Sequence, residues 1–225
     1  MKRKLKKQDI IFLIIVIIIF MGIGGFALTH DREFHYLDHL DETFVTVDDK
    51  ELPLRDLGFY IIYQETIGDS MAYEYDAEDN HKFWSRRANG TFISTYARQG
   101  AVAMAVHDEI FYQEAISHNI TLTDDEYTLT EQRLQDYLNA ITIEQLDAVA
   151  LTEDDIRATI HKIALAEKYM IQYAQETGHY YEEYNITGDA YFDILQQHEI
   201  KENKYLVNKL SLGKISINPQ TDDNP

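Results

Sequence analysis

Residues 121–155 read TLTDDEYTLTEQRLQDYLNAITIEQLDAVALTEDD, and three phrases in this stretch share one grammar. Thr123-Asp-Asp-Glu126, Thr142-Ile-Glu-Gln145 and Thr152-Glu-Asp-Asp155 each set a threonine three residues before an acid or amide. The threonine oxygen can cap free N–H groups at a helix start, and the later side chain can reach back to the threonine N–H. The acidic first turns also suit the positive end of the helix dipole. An apolar pattern follows each phrase. The spacing predicts consecutive helices over 124–140, 143–149 and 153–176, with Gly178 placed to stop the last.

Upstream, Phe92, Tyr96, Ala103, Val106, Ile110 and Ala115 recur at helical spacing, which predicts a long helix within 85–118. It is apolar around most of its circumference and small-residue-rich from Ala97 to Ala105, so it should be central and closely approached by neighbours. His107-Asp108-Glu109 interrupts it and reads as a satisfied hydrogen-bonding site rather than an acid–base pair. Phe44-Val45-Thr46-Val47, a turn at 48–50 and Glu51-Leu52-Pro53-Leu54 predict a small hairpin, with Pro53 confining the second arm to an edge or a helix start. A helix from Leu54 should end near Gly68, leaving 69–80 as an acidic loop. Downstream, 189–200 predicts a further helix. Lys214-Ile215-Ser216-Ile217 alternates and could pair with Phe44–Val47.

The charge is partitioned along the chain. The 225 residues carry 20 Lys+Arg against 39 Asp+Glu, net -19. Lys2, Arg3, Lys4, Lys6 and Lys7 precede a 19-residue run without charge, Ile10 to Leu28. As a helix the run spans roughly 28 Å, a bilayer's hydrocarbon thickness. Its uninterrupted length favours a retained anchor over a cleaved signal peptide, and the basic cluster belongs on the cytoplasmic side. Five cations and one acid lie before residue 29, so residues 29–225 hold 15 cations against 38 acids, net -23. The expected organisation is a cytoplasmic tail over 1–9, a transmembrane helix over 10–28 and a linker over 29–42. A helical domain over 43–177, closing elements over 178–217 and a tail over 218–225 follow.

Several function classes fall away. A net negative body argues against nucleic-acid partners. The absence of cysteine excludes disulfides, thiol nucleophiles, thiolate zinc sites and lipidation at cysteine. No Walker loop, GxSxG, HExxH or EF-hand pattern occurs. His35 and His39 are spaced as helical metal ligands can be, but no third ligand is committed, so they read as a solvated face. No cofactor, metal or catalytic residue is expected.

The segments FVTVDDKELPLRDLGFYI (44–61), DEIFYQEAISHNITLTDDE (108–126) and LNAITIEQLDAVALTEDDIRATIHKIALAEKYM (138–170) resemble the chaperone module of the SurA/PrsA family of extracytoplasmic bacterial folding factors. That module is related to the C-terminal part of trigger factor. The resemblance covers about residues 43–177. It implies a mainly α fold, an ATP-independent hold on unfolded or exported polypeptides, and an apolar groove to receive them. Relatives often insert a parvulin prolyl isomerase domain, but the stretch between Gly178 and Lys214 is too short for one. Isomerase activity is therefore not carried over, and a degenerate isomerase ranks third. The second reading is an assembly subunit that holds one cell-envelope partner. Phe83, Trp84, Phe92, Tyr96, Met104, Phe111, Ile163 and Met170 are the candidate polypeptide-contacting residues. The leading reading expects a long open groove between the 85–118 and 153–176 helices.

Overall fold

A 3-10 turn, Tyr36–His39, precedes a β-branched and aromatic strand, β1 (Thr43–Val47), which turns through Asp48 into β2 (Lys50–Pro53). Asp48 takes a left-handed φ of 52°, a conformation that Asp tolerates better than most residues. The computed structural model describes residues 34–76 and 81–217. The chain divides into two units, 1–35 and 36–225, and the second is the one described below. The expected cytoplasmic tail, transmembrane run and C-terminal tail lie outside the described residues. Among the described residues, no helix is long and apolar enough to cross a membrane.

After β2 a 3-10 turn, Leu54–Leu57, leads into α1 (Gly58–Tyr75). The short α2 (His81–Trp84) and a tiny hairpin, β3 (Arg87–Ala88) with β4 (Thr91–Phe92), precede the long α3 (Ile93–Ser117). Then come α4 (Asp124–Ala140), α5 (Ile143–Ala148) and α6 (Glu153–Thr177). The chain closes with α7 (Asp189–Leu195), β5 (Ile200–Glu202) and α8 (Lys204–Lys209). The fold is mainly helical with a small sheet. Residues 178–217 belong to the same unit as 43–177.

All three threonine phrases form reciprocal caps. The Thr123 oxygen accepts from the Glu126 N–H at 3.3 Å, and Glu126 accepts from the Thr123 N–H at 2.7 Å. The Thr142–Gln145 and Thr152–Asp155 pairs repeat the arrangement. Gly178 ends α6 in the left-handed region at φ 74°, where a side chain would be strained.

The small residues of α3 let its neighbours approach. Ala101 and Ala105 are buried, and a Cβ on Gly100 would stand 3.0 Å from the Gln64 side chain of α1. On the other flank, α3 lies directly against α6, with Phe111 and Tyr169 rings 6.4 Å apart and Lys162 paired to Glu109. Burial of Ile110, Phe111, Ile156 and Met170 makes this the core. Each such side chain contributes about 1.5–3 kcal/mol on leaving water.

Four expectations need correction. The helix over 54–68 does not end at Gly68 but continues to Tyr75. The Trp84 indole lies against Gly68, and a Cβ there would sit 2.2 Å from the ring, so the glycine makes room rather than a stop. The long helix starts at Ile93, because Asn89 and Gly90, both at positive φ, turn the β3–β4 hairpin just before it. The helix expected over 189–200 stops at Leu195, and Ile200 begins a strand instead. The fourth concerns the sheet. β5, not residues 214–217, pairs antiparallel with β1, through Val45–Glu202, Thr46–Lys201 and Val47–Ile200. The sheet order is β2-β1-β5, with Pro53 on an edge strand as expected.

Residues 213–217 meet a different partner. Their five backbone N–H groups and the Ser216 hydroxyl all donate to the carboxylate of Glu65 on α1, at 2.5–3.2 Å. Glu65 is fully buried. Such a carboxylate is tolerated only when its lost hydration is replaced by convergent donors. Gly213, at φ 94°, starts this loop, and a Cβ on it would meet the Trp84 ring at 2.4 Å. Arg98 of α3 anchors the same segment through the carbonyl oxygens of Asn208 (3.3 Å) and Leu210 (3.0 Å).

Glu65→Ala strands five N–H groups and is expected to lower unfolding free energy by about 3–5 kcal/mol, read from denaturant midpoints. Gly68→Ala is expected to cost about 1–3 kcal/mol by displacing Trp84. An unchanged midpoint in both would show that the C-terminal segment adds nothing to the fold.

Candidate polypeptide-binding surface

The eight residues singled out for polypeptide contact do not share one surface. Trp84, Phe111 and Met170 are buried in the core and face no solvent in this conformation. Phe83, Met104 and Ile163 are half-buried. Met104 accepts from Gln64 Nε2 at 3.3 Å, which ties α3 to α1. Only Phe92 and Tyr96 stand out, at 40% and 43% exposure.

The expected open groove between α3 and α6 is closed. Besides the Phe111–Tyr169 contact, His118 and Tyr169 rings lie 5.0 Å apart, and Tyr169 donates to Glu114 at 3.4 Å. Alanines on both helices bring the backbones together and leave a packed seam. Burial, helped by Glu114, pushes the Tyr169 hydroxyl up to about 12.

The exposed apolar surface lies instead on α1. Tyr63, Ile67, Met71 and Tyr75 are 40%, 37%, 53% and 53% exposed. They recur every four residues, so they form one continuous inclined stripe that starts opposite Glu65 at Tyr63 and Ile67 and winds round the helix to Tyr75. The stripe approaches the start of α3. The two helices run antiparallel, since Tyr60 donates to Asp108 at 2.9 Å while Gly100 faces Gln64. Tyr96, one turn before Gly100, falls on the side of α3 next to the stripe. At one end, Arg86 lies 4.1 Å from the Tyr75 ring centre and Arg87 lies 4.1 Å from that of Phe92. On the other side, Gln145 of α5 donates to Thr66 at 3.3 Å and brings α5 alongside, with Ile143 72% exposed.

Sequence reading found Phe92 and Tyr96 but missed the α1 stripe. Its i, i+4 spacing was visible, yet the inward face of the same helix is equally apolar: Phe59, Ile61, Ile62 and Ala72 are buried. An all-round apolar helix has no pattern that says which side is covered.

A second concavity, of about 310 Å³, lies between α4 and α6. Leu122, Leu129, Ala164 and Ile171 form its apolar part, and Glu126–Lys168 and Arg133–Glu167 ion pairs cross from one helix to the other. The Lys168 ammonium and the Thr123 N–H hold the Glu126 carboxyl down to about 2.

The polar triple of α3 is satisfied, as expected. His107 Nδ1 meets Asp108 at 2.9 Å and Nε2 meets the Tyr184 carbonyl at 3.0 Å, while Gln113 donates to Glu109 at 3.0 Å. Both imidazole nitrogens are thus engaged inside the fold. Burial and the neighbouring Asp108 push the Tyr60 hydroxyl well above its ordinary value. No group of three metal-ligating side chains able to hold an ion occurs among the described residues. His39 of the expected solvated pair lies 2.6 Å from Glu42.

No family model matches the chain, and no curated protein or solved structure matches it significantly.

The depressed Glu126 makes a pH prediction. Its contribution to stability is complete above its unfolded value of 4.5 and is lost as pH falls through about 2. Lys168→Met removes the largest cause of the depression. The variant should lose the Glu126 share of the decline in thermal midpoint over that window, while its profile above pH 5 keeps the wild-type shape. Parallel profiles throughout would dissociate Glu126 from acid stability.

Proposed function

We propose that the protein is a non-catalytic, polypeptide-binding module of the SurA/PrsA type. It is tethered to the membrane by residues 10–28, its body lies outside the cytoplasm, and it holds unfolded or exported polypeptides without ATP. The observation that carries this reading is the uncovered apolar stripe of α1, continued by Tyr96 and Phe92 of α3. Aromatic rings bring large contact area at low entropic cost, and a flexible Met adapts to different side chains. The satisfied state of His107, Asp108 and Glu109 supports a role without covalent chemistry.

The closed α3–α6 seam favours a second reading, an assembly subunit that holds one cell-envelope partner. A stripe on one helix offers less surface than a long cradle would.

Aggregation assays on the full chain in nanodiscs separate the two. A holdase suppresses aggregation of several unrelated unfolded proteins near one-to-one stoichiometry, and Ile67→Ser with Met71→Ser should reduce that suppression at least about fivefold. Failure on every client, with one stoichiometric protein co-purifying, would transfer the function to the assembly reading.

A further inference from the structure

The charges around the α1 stripe define what it can hold. Helix α1 contains no Lys or Arg. Glu74 lies exposed on α1 beside Met71 and Tyr75. Glu144 is exposed on α5, next to the Gln145 that donates to Thr66 of α1. The facing half of α3 carries one cation, Arg98, whose guanidinium is turned to the carbonyl oxygens of Asn208 and Leu210. Arg86 and Arg87 sit at one end only, stacked on Tyr75 and Phe92. The stripe thus lies on a helix without cations, with Glu74 on the same helix and Glu144 near Thr66, in a body whose net charge is -23.

Its dimensions suit a helix. Tyr63 and Tyr75 lie 12 positions apart, about 18 Å of helical rise, and the four side chains follow one inclined row. A partner helix with apolar residues at i, i+4, i+7 and i+11 can lay them along such a line. A second copy of the chain is a poor occupant, because two bodies at net -23 repel.

We infer that the α1 stripe is a docking site for a basic amphipathic helix of a partner polypeptide, apolar on one face and flanked by Lys or Arg that meet Glu74 and Glu144. The inference rests on the polypeptide-binding reading above and specifies its partner. The two acids orient the incoming helix and speed its encounter, while the stripe supplies the burial that holds it. Binding to acids alone would not need the apolar row, and binding to the row alone would not discriminate charge.

The probes are two synthetic peptides of roughly 18 residues with the same amphipathic leucine pattern, one with lysine and one with glutamate on the polar face. Each is titrated into the full chain in nanodiscs, with calorimetric or anisotropy readout. The lysine peptide should bind at least about tenfold tighter than the glutamate peptide. Ile67→Ser with Met71→Ser, both at exposed positions and leaving the charge unchanged, should weaken the lysine peptide about tenfold. Glu74→Gln with Glu144→Gln should shrink the discrimination between the peptides. Far-ultraviolet circular dichroism confirms that the variants keep their helices.

Equal affinity for both peptides overturns the charge assignment. Full lysine-peptide affinity in the Ile67→Ser, Met71→Ser variant overturns the stripe as the seat. A concentration-dependent dimer that the same variant abolishes would make a second copy the occupant and overturn the inference. Peptide binding can succeed while aggregation suppression fails, so the two readings stand or fall separately.

Discussion

One buried carboxylate organises this body. Glu65 sits in the middle of α1, has no contact with water, and collects the donors of residues 213–217 from the far end of the chain. The contact spans about 150 residues of sequence, so it forms only once both ends have been placed. Neither side survives its loss easily. Without the loop, Glu65 is a charge in a dry interior; without Glu65, a run of N–H groups has no acceptor. The Trp84 ring shares the same locus, lying against Gly68 on α1 and against Gly213 on the loop. Any residue larger than glycine at either position pushes on that ring.

This clasp also fixes the rotational setting of α1. With Glu65 turned inward, Tyr63 and Ile67 on the opposite side of the helix turn outward, and the row they start winds through Met71 to Tyr75 at the exposed end of α1. Tyr63 and Ile67 are exposed because Glu65, on the other side of the helix, is buried. The surface proposed to bind polypeptide and the interaction that closes the fold are therefore two faces of one helix. A rigid backing suits a docking face, since the ordering cost is met in folding rather than in binding.

The run of helices was legible because a capping box is local. Thr123, Thr142 and Thr152 act on residues three positions away, and no tertiary neighbour is needed to make those contacts. The hairpin at Asp48 and the stop at Gly178 follow from equally local constraints. The errors have a common cause. Gly68 looked like a helix end because glycine is a poor helix former, and propensity yields when a large ring needs the space. Lys214–Ile217 alternates like a strand, but its N–H groups found a carboxylate before they found a ladder. Phe111 and Met170 were read as groove residues, and alanine-lined helices closed that groove over them.

By itself the sequence determined the mainly helical class, the order and starts of α4, α5 and α6, the edge placement of Pro53, and the strongly negative charge of residues 29–225. These depend on residue type and on contacts within a few positions. Only the tertiary structure decided that β5 completes the sheet, that Glu65 receives the chain's end, and which side of α1 stays bare. Those outcomes are contests between distant segments for the same surface, and burial, charge satisfaction and ring volume are settled only when the competitors meet.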